Sequence, residues 1–131
     1  AICHNTMNEK EGTIDLPIYA SEESKPRRIV DERGQRSITH YKVIERLNDA
    51  DLVECLLETG RTHQIRVHLS SLGHPIYGDT LYGYESDSEI MPRQALHAYG
   101  LNFKSPKTKK ELELRAELPN DIKILLDKLR N

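Results

Sequence analysis

The feature that most narrows the fold is a single change of apolar period between Ser37 and Gly73. From Ser37 to Leu47 the side chains alternate, with Thr39, Tyr41, Val43, Glu45 and Leu47 on the more apolar side, the pattern of a strand with one buried face. Leu52 to Glu58 alternates again after the polar turn Asn48 to Asp51, so the two segments are expected to pair as a hairpin. Thr59 and Gly60 end the second strand, and Ile65, Leu69 and Leu72 then follow at helical spacing until Gly73 and Pro75 stop the helix. Thr62 is the expected cap of that helix. A chain that passes from hairpin to helix through a glycine turn is expected to be α+β, with a mainly antiparallel sheet.

The flanking regions fit this class. Ala1, Ile2 and Cys3 read as the end of an apolar strand, while Gly12, Pro17 and Pro26 punctuate loops and short extended pieces. Glu85 to Glu89 reads as an acidic, mobile connector. His97 to Phe103 and Leu112 to Leu118 suggest a second hairpin around the lysine-rich tip Ser105 to Lys110. Asn120 caps a last helix with Ile122, Leu125, Leu126 and Leu129 on one face.

Composition excludes several classes. A chain of 131 residues with 37% hydrophobic and 31% charged residues fits one small folded domain better than a disordered tail. Cys3 and Cys55 are too few for a disulfide framework or a zinc site, which suggests a reducing, cytoplasmic setting. The apolar runs are too short for a membrane span. The net charge of −2 supplies no overall field toward phosphate backbones. Bases do cluster, at Lys25, Arg27, Arg28, Arg33 and Arg36 and again from Lys104 to Lys110, but such runs read first as solvated faces.

Thr59 to Gly83 carries the candidate chemistry, gathering Arg61, His63, Gln64, Arg66, His68 and His74 at a strand-to-helix junction. A helix start offers unpaired backbone donors and a field that favours anions. On a helix from Thr62, Arg66 lies a turn from His63 and away from Ile65 and Leu69, so it either meets a ligand or pairs with an acid of a neighbouring strand. His63 and His68 are five apart rather than four, and no metal site is expected. Asp79, beside Gly78, reads as a turn former, with a catalytic carboxylate as the alternative.

GRTHQIRVHL followed by LGHPIYGDTLYG closely resembles the third signature region of RluA-type RNA pseudouridine synthases. AICH, GTIDLPI and RQALHAYGLNF resemble further segments of the same family. The resemblance implies that Ala1 to Asn131 is the C-terminal portion of a pseudouridine synthase catalytic domain, with a partial form of that fold. It also implies that Arg66 ion-pairs with the family's nucleophilic aspartate. Arg61, Thr62, His63 and Gln64 would then be substrate-binding, with Gly60, Ile65, Leu69, Asp79 and Tyr82 in support. Nothing in the chain resembles the aspartate-bearing signature HRLDxxTSG, nor does a later tyrosine align with the family's active-site tyrosine. The expected function is isomerisation of uridine to pseudouridine in rRNA or tRNA by the intact parent, with no cofactor and with this segment inactive alone. The alternative is a non-catalytic RNA-binding or interaction module. Self-association of the fragment is expected through an open edge and apolar face around Ile2 and Ser37 to Leu47.

Overall fold

The computed structural model describes residues 1–20, 27–97, 100–104, 111–115 and 118–130. Its centre is the hairpin of β5 (Ile38–Leu47) and β6 (Ala50–Leu57), flanked by β1 (Ile2–His4) and β2 (Glu11–Asp15) in an antiparallel sheet of order β1-β6-β5-β2. Alternation sets the hairpin register, with Tyr41 opposite Cys55 and Val43 opposite Val53, and a bulge between Val43 and Glu45 shifts the pairing by one residue. Two-stranded pieces β3 (Ile18–Tyr19) with β4 (Ile29–Val30), and β7 (Gly100–Lys104) with β8 (Glu111–Arg115), lie outside this sheet. Helix α1 is Gln64–Ser71 and helix α2 is Asn120–Arg130. The architecture is α+β with an antiparallel sheet, as the change of period implies.

One core joins Ile2, Cys3 and Met7 to Val53, Leu69 of α1, Ile76 and Met91, and to Ile122, Leu125 and Leu126 of α2. A second, smaller cluster holds Ile18, Val67 and Tyr82. Helix α1 therefore packs on two sides, Leu69 into the main core and Val67 toward Tyr82, which fixes the direction of the side chains between them.

Several expectations are corrected. The connection from β5 to β6 is shorter than Asn48 to Asp51: Ala50 and Asp51 already belong to β6, and Asp49 makes the turn at φ 50°. Asp51 is buried, where its carboxylate accepts from the Met7 amide and Arg46. The edge at Ile2 is covered, because its N–H donates to Ala95 O and its carbonyl accepts from Tyr77. Glu85–Glu89 is a 3₁₀ helix anchored by buried Asp87, whose Oδ2 accepts from the Gly78 amide and meets His4 Nε2 at 2.6 Å. The expected second hairpin is present as β7 and β8, paired antiparallel; its lysine-rich tip at 105–110, with Lys25 of the first basic run, lies outside the described residues.

Candidate active site

The junction between β6 and α1 is closed from within. Gln64 is 2% exposed, and its side chain makes four hydrogen bonds. Its Oε1 accepts from Thr59 Oγ1 and the Arg61 amide, and its Nε2 donates to Ile38 O and Thr39 Oγ1. Thr39 Oγ1 in turn donates to His68 Nδ1 at 2.8 Å, and His68 Nε2 donates to Leu16 O at 2.8 Å. This chain of bonds requires a neutral His68 protonated on Nε2, and burial lowers its pKa in the same direction. Gln64 and His68 are thus internal braces. The amide of Gln64, a residue expected to bind substrate, is engaged within the protein and turned away from solvent.

Thr62 does not cap the helix. His63 does, in the left-handed region at φ 57° and ψ 20°, without a side-chain cap bond. Such a conformation costs an L-residue on the order of 1 kcal/mol and persists only where surroundings impose it. Here the carbonyl of His63 accepts from Val67, and its Nδ1 lies 2.8 Å from Tyr82 Oη. Tyr82 Oη also accepts the Arg28 amide at 2.8 Å, so one hydroxyl joins Arg28 to His63, a contact that a neutral His63 can make. Burial, followed by the nearby charges of Arg66 and Arg28, lowers the His63 pKa and favours that neutral form.

Arg66 occupies the next turn. Its Nε and Nη2 donate to Asp79 Oδ2 and Oδ1 at 2.8 and 2.9 Å, a bidentate pair in which the Arg66 side chain is 15% exposed and Asp79 is buried. The guanidinium carbon stands 5.1 Å from the Tyr82 ring centroid, within reach of a cation–π attraction. Asp79 Oδ1 also accepts the Leu81 and Tyr82 amides. Burial pushes the Asp79 pKa upward, but the Arg66 hydrogen bond and the backbone donors outweigh it, and the group lies below its ordinary value. Asp79 sits in a turn, and the acid that Arg66 meets comes from this loop rather than from a neighbouring strand. Gly78 makes the loop possible: its φ is 80°, and a Cβ there would lie 1.9 Å from Arg93 O. Ser70 Oγ binds Tyr82 O at 2.7 Å and ties the loop to α1.

Of the candidate residues, Arg66, His63, Asp79 and Tyr82 converge on one spot. Leu69 lies in the core, and Ile65 packs against it. Arg61 is exposed, its Nε and Nη2 donating to Arg36 O, and Thr62 is exposed beside it. An added Cβ at Gly60 meets nothing within 4 Å, so packing does not demand glycine there. His63, His68 and His74 go to separate partners, and no metal-competent group of His, Cys, Asp or Glu occurs among the described residues. No helix among the described residues is long and apolar enough to cross a membrane. The Arg66 to Asp79 partnership and the approach of Arg28 to Tyr82 escape a reading of local spacing, because they join residues 13 and 54 positions apart.

An antiparallel sheet bearing a glycine turn, with a buffered arginine at the start of the following helix, defines a class that can be checked against known proteins. A family model for RNA pseudouridylate synthase matches residues 1–71. The chain is 42% identical over 130 residues to the uncharacterized RNA pseudouridine synthase YlyB of Bacillus subtilis, covering 99% of this chain and 43% of that one. It is 43% identical to the ribosomal large subunit pseudouridine synthase D of Nitrosomonas europaea, covering 94% of this chain and 38% of the relative. The solved structure of human RNA pseudouridylate synthase domain containing 1 superposes with a TM-score of 0.77 at 28% identity, covering 99% of this chain and 63% of that one. The chain belongs to the RNA pseudouridine synthase family, in its RluA-type branch. It spans about two fifths of the length of these curated relatives.

Proposed function

We infer that this chain forms one wall of the catalytic cleft of an enzyme that isomerises uridine to pseudouridine in RNA. That reaction breaks the bond from uracil N1 to ribose C1′ and joins C5 to C1′. The observation that carries the reading is the Arg66 guanidinium, fixed by Asp79 through Nε and Nη2 and with no hydrogen bond to Nη1 among the described residues. A planar fork held along one edge can offer the other to a second carboxylate, the nucleophilic aspartate that the resemblance implies. Arg66 keeps such a carboxylate ionised and oriented while it attacks the ribose of a flipped-out nucleotide. His63 stands at the same place, joined to Tyr82, and Arg61 and Thr62 line the approach.

In this reading residues 1–131 correspond to the downstream part of the catalytic domain, and the segment alone is inactive. No cofactor takes part. The name of the Nitrosomonas europaea relative favours ribosomal RNA as the substrate, with transfer RNA the other class, and the two free cysteines agree with the cytoplasm as the place of action. Release of tritium from RNA carrying 5-tritiated uridine tests the assignment. The intact enzyme is expected to release it, the isolated chain to be silent, and Arg66→Ala in the intact enzyme to lose activity by about a hundredfold or more. A near-normal rate for that variant overturns the role of Arg66.

Self-association of the isolated chain belongs to the same reading. Ile44 and Leu56 on the hairpin are 54% and 63% exposed, and β2 ends the sheet. Sedimentation is expected to show association that rises with concentration and falls in Leu56→Lys. A concentration-independent monomer contradicts it.

A further inference from the structure

Beside the candidate active site lies an open cavity of about 540 Å³ whose lining has a charge unlike that of the chain as a whole. Its walls include Tyr19, Arg28, Arg33, Gly60, Arg61 and Thr62; the Asp31 carboxylate, outside the lining, pairs with Arg33 and leaves Arg28 and Arg61 as the larger part of its positive charge. In a chain of net charge −2, three arginines converge on it from three separate segments: the approach to β4, the turn after β4, and the turn before α1. We propose that this cavity binds a backbone phosphodiester of the RNA strand that presents its uridine to Arg66; the assignment rests on the functional reading above.

Arg33 and Arg61 are held in place by hydrogen bonds to their neighbours. Arg33 donates from Nε and Nη2 to Asp31 at 3.0 and 2.8 Å and lies 4.3 Å from the Tyr19 ring centroid. Arg61 donates from Nε and Nη2 to Arg36 O at 3.2 and 3.0 Å. Each is thereby braced along one edge, which lowers the entropy lost when the outer edge meets an anion. Guanidinium forks match phosphate oxygens geometrically, and the Tyr19 ring supports Arg33 at the cavity wall.

The cavity and Arg66 are linked through a common neighbour, Tyr82. The Arg28 amide binds Tyr82 Oη, Tyr82 Oη meets His63 Nδ1, and the Tyr82 ring carries Arg66. An RNA strand lying in the cavity therefore passes directly beside the place where its flipped nucleotide would react. Gly60 completes the arrangement: a Cβ there enters open space, so a side chain would narrow the cavity without disturbing the fold. The basic run that reads from sequence as a solvated face thus contributes two walls, Arg28 and Arg33, to a defined anion site.

Fluorescence anisotropy of a labelled uridine pentanucleotide with the purified chain at low salt tests the site. Arg33→Ala and Arg61→Ala are each expected to weaken binding about tenfold, and each to make the salt dependence shallower by roughly 0.7 in the logarithmic slope. Arg130→Ala, which removes the same charge from the distant pair with Glu45, is expected to leave binding unchanged. Gly60→Leu alters no charge and is expected to weaken binding as well; thermal melts establish that each variant is folded. Equal losses in Arg33→Ala, Arg61→Ala and Arg130→Ala would mean a diffuse field and overturn the site. So would absence of pentanucleotide binding, or inorganic phosphate binding as tightly as the pentanucleotide. Failure here is separable from failure of the reading. An intact enzyme that releases tritium while the cavity variants bind normally overturns the cavity alone, whereas a silent enzyme with defective cavity variants overturns the catalytic reading.

Discussion

Arg66 and Asp79 are joined by two hydrogen bonds of 2.8 and 2.9 Å across the gap between α1 and the loop beginning at Gly78, and the carboxylate is 1% exposed. Neither charge is tolerable there alone. Asp79→Asn leaves the guanidinium partly buried without its counter-charge and gives up the ionic part of two bonds, a loss of about 3 kcal/mol. Urea denaturation of the isolated chain is expected to show the midpoint falling accordingly, with an unchanged slope. An unaltered midpoint would mean that the pair contributes little.

The same pair and His68 contribute to the response to acid, beside the carboxylates of Asp31, Glu45 and Asp121, which their arginine partners also hold below the ordinary range. The His68 pKa is below its ordinary 6.5, so the unfolded chain takes up the proton first; its contribution to stability is full above pH 6.5 and is lost as pH falls through the folded value. Asp79 is also depressed, from 3.8, and its contribution is full above pH 3.8 and lost as pH falls through its lower folded pKa. Melting temperature against pH should therefore drop in two stages, one starting near 6.5 and one starting near 3.8. His68→Gln, which keeps a donor and an acceptor but does not titrate, is expected to shrink the first stage; His63, lowered as well, retains the remainder. A single acid stage at low pH contradicts this.

Gln64→Ala separates a brace from a ligand. The amide closes the turn through Thr59, Arg61, Ile38 and Thr39, so truncation leaves buried polar atoms unpaired and costs about 2 kcal/mol. In the intact enzyme the activity loss should follow the loss of folded protein, with KM for RNA unchanged. A raised KM with unaltered stability would restore Gln64 to the substrate.

The sequence makes the skeleton of this arrangement legible and hides its joints. The β5 to β6 hairpin and α1 can be read because alternation and helical spacing are local properties, and Val53 and Leu69 are buried as those periods require. The cap cannot be read so easily. Thr62 has the better side chain for it, but the tertiary bond from His63 Nδ1 to Tyr82 holds the following residue in the left-handed region, and tertiary geometry prevails over propensity. Asp51 and Asp87 look like solvated turn acids, yet both are buried, because Met7, Arg46, Gly78 and His4 supply distant partners that composition does not reveal. Arg66 is conspicuous in its motif, but its partner is identified only when the loop at Asp79 folds back over α1.

Arg66→Lys in the intact enzyme distinguishes charge from geometry. A lysine ammonium keeps the positive charge, but it is a compact donor on a flexible stem and cannot hold Asp79 through one edge while presenting a planar second edge. If the reactive aspartate needs only a neighbouring cation, the lysine enzyme should retain much of its rate. The bidentate bond to Asp79 argues otherwise: the ammonium is expected to settle on the buried carboxylate, leaving the cleft without an oriented donor. The expected outcome is a loss of kcat of about a hundredfold, with KM for RNA nearly constant and thermal stability closer to wild type than in Arg66→Ala. Tritium release under saturating RNA, read beside melting temperature, decides it. A lysine variant with nearly full kcat would mean that Arg66 acts through its charge alone and that the Asp79 fork serves the loop rather than the chemistry.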